Sequence, residues 1–219
     1  MQSLEVRPRS PVGLDELNLK LAEHLRFRGG FFVEVGANDG ISQSNTVYLE
    51  RYLGWRGLLI EGIPELFQKC KMNRPNAIVE QCALVAKDFS ETTVTMQYCN
   101  LMSIVQGARA SLEGDKAYVT AGCEHLGPDE VPYAVNVQAR TLTSVLDSHE
   151  ISQVDFLSLD VEGYEGQVLR GLDFSRYAPR FILVECNIPI DVEEALDGRY
   201  EFVAQLSHHH SDRLYRLRE

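Results

Sequence analysis

The stretch Phe31-Phe32-Val33-Glu34-Val35-Gly36-Ala37-Asn38-Asp39-Gly40 decides the fold. A short apolar run breaks into a turn bracketed by two glycines, and a helical pattern follows over about residues 45–53. A buried strand, a tight turn and a helix N-terminus in that order make a site for a nucleotide-like ligand. The glycines are expected to let the backbone approach that ligand closely, where a Cβ would collide with it.

Working outward, Leu14, Leu17, Leu21 and Leu25 recur at helical spacing, and Gly29-Gly30 closes that helix, so residues 1–30 read as an N-terminal helical segment. Downstream, residues 57–61 read as a buried strand, Pro64 opens a helix to about residue 72, and residues 77–85 read as a third strand. This alternation implies a parallel sheet with helices on both faces. Residues 92–98 and 135–139 read as two further strands. Between them, residues 100–132 form the longest irregular segment, rich in Gly and polar residues, expected as an insertion covering the acceptor site. The second half resumes the alternation: a helix over 141–149, a strand over 154–160, a helix over 163–171 and a strand over 181–186. Residues 201–206 and 213–217 form a final pair able to close as a hairpin.

The totals fit one domain. A chain of 219 residues, 44% apolar and 24% charged, builds a full α/β core and is short for two. A net charge of −11 excludes a duplex nucleic acid partner, which needs clustered Lys and Arg. Five cysteines with no Cys-x-x-Cys pair argue against a disulfide scaffold and a structural zinc site. Cys82 and Cys186 sit in apolar runs and read as buried small hydrophobes in a reducing compartment. No apolar run approaches the roughly 18 residues of a membrane span, and residues 1–11 lack the apolar core of a signal peptide. The expectation is a cytoplasmic protein with neither membrane nor nucleic acid as partner. Its oligomeric state is open, a homodimer being one option.

In an open parallel sheet, ligands bind at the carboxyl ends of the strands, near the topological switch point. The first strand delivers Gly36-Ala37-Asn38-Asp39-Gly40 there, the second Glu61, and later ones Asp160, Glu162 and Gly163, then Glu185 and Asn187. Glu61 directly follows Leu58-Leu59-Ile60, and an acid in that place can accept hydrogen bonds from both ribose hydroxyls of an adenosine. The plainer alternative is a capping or surface carboxylate. A dinucleotide-binding turn would read Gly-x-Gly-x-x-Gly, whereas Asn38 stands in place of the middle glycine. A pyrophosphate needs that bare backbone; an adenosine ligand without phosphates does not. S-adenosyl-L-methionine is such a ligand, with its ribose at Glu61, its amino-acid end on the turn and its cationic sulfonium facing Asp39, Asp160 and Glu162.

These residues resemble a known family. Phe32 to Gly40, then Ser44-Asn45-Thr46, then Gly54-Trp55-Arg56-Gly57-Leu58-Leu59-Ile60-Glu61 are similar to the FkbM family of S-adenosyl-L-methionine-dependent methyltransferases. So are Arg140-Thr141-Leu142 and Val154-Asp155-Phe156-Leu157-Ser158-Leu159-Asp160-Val161-Glu162-Gly163. The resemblance implies a Rossmann-like class I methyltransferase fold, a mostly parallel seven-stranded sheet with its last strand antiparallel. It also implies methyl transfer, usually to oxygen, on sugars, polyketides or small carboxylic acids, the acceptor being a small molecule or glycan. Carried onto this chain, the cofactor-binding set is Glu34, Gly36, Ala37, Asn38, Asp39, Gly40, Asn45, Thr46, Glu61, Gly62, Ile63, Cys82, Ala83 and Asp160. One departure is Gly62-Ile63 where family members commonly carry Asn or Pro before Pro64.

Asp160 and Glu162 are the acceptor-side candidates, because an alcohol must lose its proton as it is methylated. In the alternative reading, Asp160 holds the cofactor's amino group and Glu162 caps the next helix, while Glu165 lies on the helix surface. His208, His209 and His210 point in different directions on a regular strand and cannot chelate one ion. They read as a polar hairpin loop, from which His208 could lean in as a base titrating near neutral pH. Asn45 and Thr46 contact the cofactor's carboxylate or cap the helix; Cys82-Ala83 border the adenine; Trp55 packs in the core. A divalent metal is compatible with this chemistry, but no ligand spacing supports one. Two rival functions are a nicotinamide-dependent oxidoreductase, opposed by the missing middle glycine, and a non-catalytic interaction module on the same fold.

Overall fold

The computed structural model describes residues 17–109, 111–207 and 211–219. Its first strand, β1 (Phe31–Val35), occupies the stretch that opened the reading. Helix α1 (Leu17–His24) precedes it, and α2 (Val47–Leu53) leads to β2 (Arg56–Ile60). Helix α3 (Pro64–Asn73) starts at its proline and leads to β3 (Ile78–Glu80).

The expected strand over 77–85 is broken in two. Beyond β3 the chain leaves the main sheet, and β4 (Ala83–Leu84) joins a second sheet by pairing with β7 (Tyr133–Arg140). That sheet also holds β5 (Thr93–Tyr98) and β6 (Ile104–Val105), in the order β4-β7-β5-β6. The two strands expected at 92–98 and 135–139 therefore pair antiparallel with each other, outside the main sheet. Nor is the segment 100–132 irregular: it contains β6 and the 11-residue helix α4 (Leu112–Gly122), capped by Ser111, whose side chain accepts the Gly114 N–H.

The remaining elements are α5 (Leu142–Ser148), β8 (Phe156–Leu159), α6 (Glu165–Arg170), β9 (Phe181–Glu185), α7 (Pro189–Leu196), β10 (Tyr200–Gln205) and β11 (Asp212–Leu217). The main sheet runs β10-β11-β9-β8-β1-β2-β3, and only β11 is antiparallel to its neighbours. This is the sheet that the resemblance implied, and its last two strands pair as the hairpin read from residues 201–206 and 213–217. Helix α7 was not read from the sequence.

Strand periodicity explains why both faces are covered. Val33, Val35, Leu58, Ile60, Leu157 and Val184 face a core completed by α5, α6 and α7 through Leu146, Leu169 and Val192. Their neighbours Phe32, Leu59, Phe156, Phe181 and Leu183 face the opposite core with Leu17, Leu21, Leu49 and Cys70 from α1, α2 and α3. The chain order reverses between β1 and β8, so the switch point lies where those two strands end side by side. All five cysteines are free, and Cys82 and Cys186 are buried, as read. Among the described residues, no helix is long and apolar enough to cross a membrane.

Candidate active site

At the carboxyl ends of β1, β2, β8 and β9 lies a cavity of about 450 Å³. The main sheet supplies its floor; Cys82, Ala83 and Leu84 of β4 and Met96 of β5 supply an apolar wall. Asn100, Leu101, Met102, Ser103 and Tyr118, all from the segment 100–132, line it as well.

The β1 turn is built from local hydrogen bonds. Gly36 has φ +80°, and a Cβ there would lie 1.8 Å from the Asp160 carbonyl oxygen. The glycine is required because the ends of β1 and β8 abut, a reason other than the ligand approach the sequence suggested. Likewise a Cβ on Gly40 (φ +81°) would lie 2.9 Å from Arg74 Cγ and Cys70 Sγ on the α3 side. Asn38 takes φ 50°, a left-handed conformation that Asn tolerates best after Gly. Its N–H donates to Glu61 Oε2 at 2.8 Å, and its Oδ1 accepts the Asp39 N–H at 2.7 Å.

Glu61 is buried and lines the cavity, receiving the N–H groups of Asn38 and Ile63 at 2.8 Å each. Burial pushes its carboxyl up to about 7, against the pull of backbone hydrogen bonds from Ile63, Asn38 and Gly62. Glu34 holds the following loop to β1: it accepts Ser44 Oγ at 2.9 Å, the Asn45 N–H at 2.8 Å and Thr46 Oγ1 at 2.6 Å. Asn45 stays on the cavity wall, donating through Nδ2 to Ser158 Oγ at 3.1 Å, while its Oδ1 is buried without a partner.

At the other end stand Asp160, Glu162 and Glu185, one carboxylate oxygen of each within 4.8 Å of the others. Burial pushes Asp160 well above the usual carboxylate range, and the nearby Glu185 and Glu162 charges push it further. Glu185 is raised to about 7, chiefly by burial, and shares a hydrogen bond with Asp160. Glu162, at φ 58°, receives Arg109 Nη2 at 3.2 Å and the Tyr118 hydroxyl, and the Arg109 guanidinium stacks 3.7 Å above the Tyr118 ring.

Of the residues read from sequence, Glu34, Gly36, Ala37, Asn38, Asn45, Glu61, Gly62, Cys82, Ala83, Asp160 and Glu162 all line this one cavity. Four do not. Asp39 turns into its own loop, its Oδ1 accepting the N–H groups of Ile41 and Ser42 at 2.9 and 2.7 Å. Gly40 packs on α3. Thr46 is fully buried toward Glu34 and Arg74, neither capping α2 by its side chain nor facing the cavity. Ile63 is core, packed with Leu66 and Tyr98.

Glu165 is not on the surface: only 1% exposed, it accepts the Gly163 N–H at 2.8 Å. Nor does Glu162 cap α6, which starts from Tyr164 with no side-chain cap. Trp55 is core, as read, its Nε1–H donating to the Phe27 carbonyl at 3.0 Å. His208, with His209 and His210, lies outside the described residues. Glu185 was visible at a strand end but not selected. Arg109 and Tyr118 carried no motif at all.

The model of the methyltransferase FkbM domain matches residues 34–214, which include every cavity residue named above. The chain belongs to the FkbM family. That family uses S-adenosyl-L-methionine as methyl donor, so this is the cofactor its cavity is matched against. The FkbM methyltransferase of Methylobacillus flagellatus KT is similar in structure, with a TM-score of 0.51 at 14% identity. The match covers 86% of this chain and 43% of that one, so this FkbM chain spans less than half of that relative's length. A TehB-like S-adenosylmethionine-dependent methyltransferase from Corynebacterium glutamicum ATCC 13032 Kitasato gives a TM-score of 0.45 at 10% identity, over 92% of this chain and 88% of that one. At such identity the first likeness speaks for the class I methyltransferase fold alone, and the second carries no argument. Among curated proteins, nothing matches.

Proposed function

We propose that this FkbM-family domain transfers a methyl group from S-adenosyl-L-methionine to an oxygen, of a hydroxyl or a carboxyl group, on a small-molecule or glycan acceptor. One observation carries the reading: a single cavity has the β2-end carboxylate of Glu61 at one end and the acid group around Asp160 at the other. The donor, when bound, supplies an electrophilic methyl on a sulfonium.

The residues fit that donor. Glu61 accepts the ribose hydroxyls, the apolar side of Cys82, Ala83 and Leu84 takes the adenine, and the orphaned Asn45 Oδ1 takes an ammonium hydrogen. The 36–38 backbone fixes the amino-acid portion, and aligned reactants are the larger part of what such an enzyme must provide. On the acceptor side, Asp160 and Glu162 orient the oxygen. Burial raises both Asp160 and Glu185, which share a hydrogen bond, so this pair is suited to receive the proton of an acceptor hydroxyl. Tyr118 and Arg109 close over Glu162 and keep water from that end. The net charge of −11 supports an acceptor other than nucleic acid.

Calorimetry with S-adenosyl-L-homocysteine tests the reading. Binding of one equivalent that Glu61→Ala weakens sharply supports it. The absence of any heat with either the donor or its demethylated product overturns it, and quenching of NADH fluorescence instead would favour the oxidoreductase.

A further inference from the structure

We propose that the acceptor carries an uncharged apolar portion, an acyl chain or an aryl ring, and that this portion lies in a groove on the second sheet next to the cavity. The groove holds about 370 Å³ and runs over β5 and β6, with Phe89 and Tyr164 at its sides. Val105 and Tyr164 line both the groove and the cavity, so these two side chains are the partition between them. The chain itself passes from one to the other. Met102 and Ser103 face the cavity, Val105 faces both, and Gln106 and Gly107 face the groove. Tyr164 stands two residues past Glu162, so the partition is at the end where the acceptor oxygen is oriented.

Volume and lining together name the occupant. The donor, an adenosine carrying an amino acid, takes up most of a cavity of about 450 Å³. Room remains for the reacting group of an acceptor, and a larger acceptor extends beyond it. The floor of the groove is aliphatic and buried, made by Val94 and Val105, which belong to the core of the second sheet, and Phe89 and Tyr164 pack on that core. Leu112, the first residue of α4, is left 56% exposed on the margin. The polar residues Thr93 and Gln106 are exposed on the rim. In a chain of which 24% of residues are charged, none of the described residues lining the groove is. A charged group entering it would shed water and meet no countercharge, and the hydroxyls of a glycan would face the two valines. An acyl or aryl portion buries apolar area against the floor and leaves the rim wet. The groove's part in methyl transfer rests on that reading; its affinity for an uncharged apolar chain does not.

The test is photolabelling with octanol carrying an aliphatic diazirine, in the presence of S-adenosyl-L-homocysteine. Adducts should fall on peptides spanning 89–95, 105–112 or 164. Plain octanol should protect roughly tenfold better than hexanol, the gain expected from two further buried methylenes. Leu112→Asp sets a charge on the margin at an exposed position in the first turn of a helix, where an acid is tolerated. It should cut labelling about fivefold or more and leave the thermal midpoint and S-adenosyl-L-homocysteine affinity unchanged. If that variant does not fold, Gln106→Asp on the exposed rim replaces it. Adducts elsewhere, equal protection by the two alcohols, or undiminished labelling of the variant overturns the proposal. So does protection by maltotriose in place of octanol, which would assign the groove to a glycan. Calorimetry with S-adenosyl-L-homocysteine on the same samples separates the two claims. Nucleoside binding without labelling of the groove overturns the apolar site alone; labelling of the groove without nucleoside binding overturns methyl transfer and leaves the apolar site standing.

Discussion

Gly36 and Glu61 carry the sharpest predictions for single residues. Gly36→Ala sets a methyl against the Asp160 carbonyl at a positive φ, and should destabilise the fold by about 3 kcal/mol or more. Urea unfolding measures this. The sequence marked the position as special but not the reason, because the partner, Asp160, lies just past β8 and more than a hundred residues away. Asn38 was legible only as a departure from a dinucleotide turn; its left-handed φ explains why Asn suffices there.

Glu61 is raised to about 7 by burial in the fold, from 4.5 when unfolded, with Cys70 and Tyr133 the titratable groups that feel its charge. The folded state therefore holds the extra proton. Its contribution to stability is complete below about pH 4.5 and is lost as pH rises through about 7. Glu61→Gln should flatten unfolding free energy across that window. Ribose hydroxyls donate to the ionised form, so S-adenosyl-L-homocysteine binding near about pH 6 should release protons. Calorimetry in two buffers of different ionisation heat would detect this. The same variant should abolish the release and weaken binding roughly ten- to a hundredfold.

Among the elements, α4 is the one whose absence from the sequence reading is easiest to explain. Only Asp115 and Gly122 of its 11 residues are buried, so it has no apolar stripe for periodicity to find. Its Ser111 cap and acidic first turn were the only signals. Helix α7 was hidden likewise, with Val192 and Leu196 its only buried residues and Asp197, where glycine is usual, in the left-handed cap position. The break between β3 and β4 has another cause: an apolar run does not tell which sheet each half will join. Tyr118 ties α4 to Glu162 through its hydroxyl. Tyr118→Phe should speed amide exchange over 112–122 while leaving the thermal midpoint nearly unchanged, as mass spectrometry of exchanged peptides would record. A uniform slowing or no change would mean that α4 is held by its packing instead.

At the scale of the molecule, the main sheet was legible because period-two burial and the alternation of elements agree on both cores. The second sheet was not, since its pairings join residues 83–84 and 93–98 to a strand at 133–140. Binding at the switch point should stabilise the whole domain by mass action. S-adenosyl-L-homocysteine at about a hundred times its Kd should add about 2.7 kcal/mol and raise the midpoint by roughly 5–11 °C, read by scanning calorimetry. The abutment of Gly36 on Asp160 has a kinetic corollary. Two lengths of main chain lean on each other there with nothing yielding between them, so a shove delivered by the nucleoside to one is handed on to the other. The second reactant then meets a pocket already set by the first, and compulsory order of addition, donor before acceptor, is the expected kinetic pattern.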